Sequence, residues 1–218
     1  DIPAGLSLCR AAGWNQLSRD WELFLRLSPA GGRVAIDEAG MVVGTVTTVR
    51  YQDHFSWIGM VLVDPLFRKM GIGMQLLKES LQVLEAERTV KLDATPAGRE
   101  IYLKLDFVDE YPLSRMLSME ISEEKLPPSK ARPVRAEDFS RILEFDYRVF
   151  GADRKEVLEW SWKNLPTVAF VTEERNTITG FCFGRSGHNY THIGPVIAQD
   201  IKQAIQLVSA ALHSCLQH

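Results

Sequence analysis

Residues able to do chemistry gather first in one stretch. Arg68-Lys69-Met70-Gly71-Ile72-Gly73 puts two cations and two glycines within six positions. An apolar run, Trp57 to Val63, precedes it and is closed by Asp64-Pro65. That run is too short for a good helix and reads as a buried strand. After the glycines, Met74, Leu77, Leu81 and Leu84 recur at helical spacing and define one buried face. A strand, a glycine loop and a helix N-terminus together make an anion site. Free N–H groups of the first turn converge there, and the helix dipole favours negative charge. Glycines let the backbone approach a phosphate with no side chain in between. Two familiar phosphate loops do not fit. GxxxxGK[ST] is absent, and Met74-Gln75-Leu76 follows Gly73 where a dinucleotide fingerprint needs a third glycine.

What fits is Arg-x-x-Gly-x-Gly directly after the strand end at Val61 to Pro65. This resembles the acetyl-coenzyme A signature of the GCN5-related N-acetyltransferase (GNAT) superfamily. The resemblance implies acetyl-CoA as co-substrate and no metal. Its pyrophosphate would face the amides of Arg68, Lys69, Met70, Gly71, Ile72, Gly73 and Met74. Val61, Leu62 and Val63 would offer backbone groups to the pantetheine, which mimics a neighbouring strand. An N–H near Val61 would polarise the thioester carbonyl. The side chains of Arg68 and Lys69 either add charge near a phosphate or form a solvated pair.

The resemblance also implies a general acid. In GNAT enzymes a tyrosine lies in a Leu-Tyr-x-x-x-Gly-Phe pattern. Here the run is Ile101-Tyr102-Leu103-Lys104-Leu105-Asp106-Phe107, so Tyr102 matches and Asp106 replaces the glycine. Aspartate tolerates left-handed backbone better than most residues. Asp93, at the end of a strand beside the core strand, is the candidate general base, directly or through water. Asp53 and His54, on the turn before the core strand, are further candidates. Each has a plain alternative: Asp93 as a helix cap, Asp53 as a turn residue, His54 as a solvated side chain. Ordered water could also replace a protein base.

The elements that must position these residues follow the same order. Asp1 caps a first helix with Pro3 at its start and Leu6, Leu8 and Cys9 on its buried side; Gly13 ends it. A second helix is expected from about Asn15 to Leu27. Arg33–Ile36 and Met41–Arg50 form a hairpin around Asp37–Gly40, with a bulge or close contact at Gly44. The core strand spans 55 to 63 and the loop helix about Gly71 to Glu87. Val90–Ala94 is a strand, a helix carries Tyr102, Phe107-Val108 opens another strand, and Leu113–Met119 is its expected partner. Residues 1–120 thus read as one GNAT domain, α/β (α+β), with a mixed, mostly antiparallel central sheet flanked by helices. The short strand that normally opens the fold is not in the sequence, so the chain is trimmed there or another segment covers that edge.

Residues 121–133 are polar and Pro-containing and read as a linker. Residues 134–218 repeat the pattern weakly: a helical region to about Phe150, a helix at about 155–164, a hairpin around Glu174–Asn176, then Ile193-Gly194-Pro195-Val196-Ile197 echoing Ile58-Gly59-Met60-Val61-Leu62. A helix from about Asp200 to His213 follows without Arg-x-x-Gly-x-Gly before it. This is a degenerate, incomplete GNAT-like unit, short or cut at its end, and one cofactor site is expected, in the first half.

The chain of 218 residues has 45% hydrophobic and 24% charged residues and a net charge of −3. Nothing there calls for nucleic acid or an anionic membrane as partner. Cys9, Cys182 and Cys215 are scattered and odd in number, which suits reduced thiols in the cytoplasm. The expected function is acetyl transfer to a primary amine of a small molecule in a ternary complex, with a homodimer compatible. The alternative is a regulatory module that binds CoA without turnover.

Overall fold

The computed structural model describes residues 1–52 and 54–216. The chain divides into two compact units, Asp1–Met116 and Leu117–His218.

The first unit opens with α1 (Ile2–Ala11) and α2 (Ser18–Leu27). The Asp1 side chain accepts from the Ala4 N–H at the head of α1. α2 starts three residues later than its apolar spacing suggests. The Arg10 guanidinium ties down the carbonyls of Trp14 and Gln16, at 3.2 and 2.8 Å. The Asp20 carboxylate then accepts from the Leu17 N–H at 2.6 Å and sets the helix start. Strands β1 (Arg33–Ile36), β2 (Val42–Tyr51), β3 (Phe55–Val63) and β4 (Val90–Leu92) form a sheet in that spatial order. All pairs are antiparallel except β3 with β4. Leu8, Cys9 and Trp21 pack with Met60 and Leu62 on one face. Leu76, Leu77 and Leu84 of the helix α3 (Ile72–Val83) and its C-cap pack with Val46 and Ile58 on the other. Burying the second set holds α3 at the sheet, as burying the first holds α1 and α2. α3 approaches β2 closely at Gly44: a Cβ there would meet Leu76 at 3.0 Å and Ile72 at 3.1 Å.

The short helix α4 (Pro96–Tyr102) is capped by Thr95, whose hydroxyl accepts from the Gly98 N–H at 3.1 Å. Asp93 is therefore not its cap. The strands expected at Phe107-Val108 and Leu113–Met119 do not form. Asp106 turns the chain with φ 62°, the left-handed conformation its side chain tolerates. Beyond it, Glu110 pairs with Lys91 at 2.8 Å and Asp109 with Arg99 at 2.9 Å. Those side-chain ties, with Pro112, lay the segment beside β4 without a ladder. β4 also ends at Leu92, short of Ala94.

In the second unit, β5 (Arg132–Pro133), β6 (Phe170–Glu174), β7 (Thr177–Arg185) and β8 (His192–Ala198) form an antiparallel sheet in sequence order. Residues 132 and 133, at the end of the expected linker, thus belong to this sheet. α5 (Phe139–Phe150) and α6 (Lys155–Asn164) bury Ile142, Phe145 and Leu158 against Phe181 and Phe183. α7 (Ile201–Leu216) buries Leu207 and Ala211 against Cys182 on the opposite face. Alternation along β7 sends Phe181 and Phe183 one way and Cys182 the other.

Candidate active site

Arg68 to Met74 leave the sheet at the end of β3. The Asp64 N–H donates to the Val43 carbonyl at 2.9 Å, the last tie to β2. Asp64 also accepts from the Leu66 N–H, at 2.9 Å, and closes a single 3₁₀ turn, Pro65–Phe67. Lys69 and Gly71 then take left-handed backbone, φ 64° and 85°. A helical bond first appears at Gln75, whose N–H reaches the Gly71 carbonyl at 3.0 Å. Among the described residues none supplies an acceptor to the amides of Arg68 through Met74. Alternating backbone of this kind at a helix N-terminus forms a concave nest of donors. Gly73 leaves room there: a Cβ would come no nearer than 3.6 Å, to Val63. The Arg68 Nε–H points back to the Val63 carbonyl at 3.2 Å, which keeps its cation beside the nest. These residues fit a diphosphate.

Next to the nest the sheet opens. β3 and β4 pair only from Ser56 opposite Val90 to Ile58 opposite Leu92. Gly59 to Val63 run on with no strand partner on that side among the described residues. On the other side, β2 is in register at Thr45–Leu62 and again at Thr47–Gly59, so one residue, Val46, opposes two, Met60 and Val61. This is a β-bulge. Met60 has φ 53°. The extra residue switches the facing of the strand: Ile58 and Val61 belong to the cluster on the α3 side, Met60 and Leu62 to the cluster on the α1 and α2 side. Val61, Leu62 and Val63 therefore border an unpaired wedge beside β3, on the stretch of strand that runs into the nest.

Tyr102 is the last residue of α4 and packs on Phe107, ring centroids 6.1 Å apart. Its hydroxyl lies over Gly98, where a Cβ would meet it at 3.0 Å. Burial raises the phenol above its ordinary range. Asp93 follows β4. Burial by the same wall raises its carboxyl while Arg115 pulls it down, and the residue as a whole stays exposed. Both residues line one cavity of about 920 Å³, with Trp57, Leu105 and Phe107 among its walls. Asp53 lies outside the described residues. His54 is exposed on the β2–β3 turn, and its N–H donates to Tyr51 O at 3.0 Å. The reading of the sequence missed two threonines of β2. Thr45 Oγ1 donates to the Met60 carbonyl at 2.9 Å and Thr47 Oγ1 to the Gly59 carbonyl at 3.3 Å. Their signal is Thr-x-Thr on the strand beside the core strand, which looks like ordinary strand composition.

The second unit carries the same bulge with other residues. Cys182–Val196 and Gly184–Ile193 are in register, so Phe183 opposes Gly194 and Pro195. Ile193 therefore corresponds to Gly59 and not to Ile58, and Pro195 to Val61. Proline has no N–H to donate. α7 is also capped from within: the Asp200 carboxylate accepts from the Gln203 N–H at 2.8 Å. A carboxylate at that terminus repels an anion. In the loop between β7 and β8, His188 and Asn189 are exposed.

Residues 7–107 match the model of the acetyltransferase (GNAT) family, and residues 142–217 that of an acetyltransferase (GNAT) domain. Among curated proteins the chain is 25% identical over 185 residues to holothin acyltransferase of Pseudoalteromonas sp. (strain SANK 73390), covering 81% of this chain and 62% of that protein. It is 22% identical over 217 residues to the uncharacterized N-acetyltransferase YitH of Bacillus subtilis (strain 168), covering 94% of this chain and 72% of that protein. A crystal structure from Pyrococcus horikoshii, classed as an acetyltransferase, superposes with a TM-score of 0.69 at 24% identity, over 98% of this chain and 73% of that one. The chain spans less than two thirds of the holothin enzyme's length. Two successive domain matches and a shared fold across nearly the whole chain make it a member of the GNAT superfamily, in a two-unit arrangement.

Proposed function

We propose that the chain is an acyltransferase that moves an acetyl group from acetyl-CoA to a primary amine of a small molecule, by direct attack with both substrates bound. The observation that carries this reading is the row of unclaimed amides at Arg68–Met74, set beside a wedge in the sheet. The nest holds the diphosphate, and the wedge edge at Val61–Val63 takes the pantetheine. The Val61 N–H stabilises the oxyanion that forms as the amine nitrogen adds to the thioester carbon. When the C–S bond breaks, Tyr102 supplies a proton to the leaving thiolate. Asp93, or water beside it, accepts the proton that the ammonium must lose to attack. Direct attack is favoured over a cysteine acyl-enzyme, because Cys9 and Cys182 are buried and burial raises both thiols, Cys182 to about 12. Free thiols also suit a reducing compartment, and the reading places the chain in the cytoplasm.

Calorimetric titration with CoA, followed by thiol release across amino acids, polyamines and aromatic amines, tests this directly. One tight CoA site per chain and release with at least one amine are expected. Binding without release from any amine would favour a CoA-responsive regulatory module. Tyr102→Phe is expected to lower kcat about 100-fold with CoA affinity unchanged. Because the phenol is raised, the wild-type alkaline loss of kcat should begin above the ordinary tyrosine pKa of about 10, and Tyr102→Phe should lack that limb.

A further inference from the structure

We propose that Thr45 and Thr47 are positioning residues that aim the Val61 N–H into the wedge. The proposal rests on the acyl-transfer reading above and adds the residues that hold its oxyanion donor. Both hydroxyls are buried and donate to successive carbonyls, Met60 and Gly59. Both carbonyls are thereby drawn toward β2. In a regular strand successive carbonyls point to opposite sides. Two in a row on one side require a backbone turn between them, and the φ of 53° at Met60 is that turn. A trans peptide unit is planar, with its N–H opposed to its C=O. A Met60 carbonyl held toward β2 therefore sends the Val61 N–H the other way, where pairing with β4 has already ended at Ile58. Left-handed backbone at a methionine is unfavourable by itself, so something must hold it, and the two hydroxyl bonds do.

The second unit is an internal control. At the register positions of Thr45 and Thr47 it carries Cys182 and Gly184, with no hydroxyl, and at that of Val61 it carries Pro195, with no N–H. Hydroxyls and amide occur together in one unit and are missing together in the other.

Thr45→Val removes the donor at nearly constant volume, and Thr45→Ser keeps it. In the full chain, with acetyl-CoA and an accepted amine, Thr45→Val is expected to lower kcat about 10- to 100-fold while the CoA dissociation constant stays within about twofold. Thr45→Ser should recover kcat to within about threefold of wild type. Backbone amide exchange provides a readout that needs no turnover. The Val61 amide should exchange faster than that of Leu62 in the wild type and slow in Thr45→Val as the bulge relaxes toward the ladder. Unchanged exchange at Val61 overturns the proposal. So does a kcat that falls in step with CoA affinity and is not rescued by serine. A wild-type chain that binds CoA and transfers nothing would sink the acyl-transfer reading instead, and the exchange measurement would still decide the role of the threonines.

Discussion

Replacing Gly73 with valine is expected to weaken CoA binding more than about 100-fold and to move the melting midpoint by only a few degrees. The separation of the two effects comes from local space. Gly73 sits in the first turn of α3, its backbone conformation is open to any residue, and a Cβ would touch nothing in the protein closer than 3.6 Å. The added methyls therefore cost the fold little, since valine is a slightly better helix former than glycine. They do fill the mouth of the nest, where the amides of Arg68–Met74 would otherwise meet a diphosphate. Gly71→Val would also abolish binding, but with φ at 85° it would strain the backbone as well and could not separate the two causes. Isothermal titration of Gly73→Val with CoA, beside a thermal melt, checks this. Unaltered affinity would remove the loop from the cofactor site.

Asp138→Asn is expected to lower the stability of the second unit by about 3 kcal/mol, a fall of roughly 10–20 °C in its melting midpoint. The Asp138 side chain is fully buried and bonds Arg132 at 2.6 and 2.8 Å, Arg141 at 2.6 Å and the Arg135 N–H at 2.9 Å. Glu173 ties the same two arginines from β6, at 2.6 and 2.9 Å. The network joins β5, β6 and α5. Hydrogen bonds from Arg132 lead the causes that hold the Asp138 carboxyl down to about 2, against 3.8 unperturbed. A carboxyl depressed in the folded state adds stability above its unfolded pKa and loses it as pH falls through the folded one. The wild type should therefore lose stability between about pH 4 and pH 2, and Asp138→Asn should show a flatter acid limb. Calorimetric melts across that range decide it. An Asn variant as stable as wild type would show that solvent already satisfies the arginines.

The loop of the candidate site was legible where its shape is set by backbone. Glycines at 71 and 73, an apolar run ending at Asp64-Pro65 and a helical spacing from Met74 onward are local signals, and they mark the nest residue by residue. Asp106 in place of glycine was likewise readable, because aspartate accepts the left-handed turn the chain makes there. What stayed hidden was set by partners distant in sequence. The start of α2 depends on Arg10 reaching Trp14 and Gln16. The segment after Asp106 has strand-like composition, yet its charges are spent on Lys91 and Arg99 rather than on a ladder. The bulge at Met60 has no local signature at all. It follows from register against β2, and only that register shows that Pro195 stands where Val61 does.

The segment laid beside β4 bears on how this protein must be handled. It carries Val108, Tyr111, Leu113 and Met116 to the surface, with Val108 83% and Met116 87% exposed. It is clamped through two exposed ion pairs, Lys91–Glu110 and Arg99–Asp109. Such pairs weaken as counterions screen them, over a distance of about 3 Å at 1 M salt. Concentrated salt should loosen the clamp and bare the outer edge of β4 beside this already exposed greasy strip, an invitation to edge-to-edge association. Light scattering should rise with ionic strength by more than screening of a net charge of only −3 would give, and dilute buffers should keep the chain dispersed.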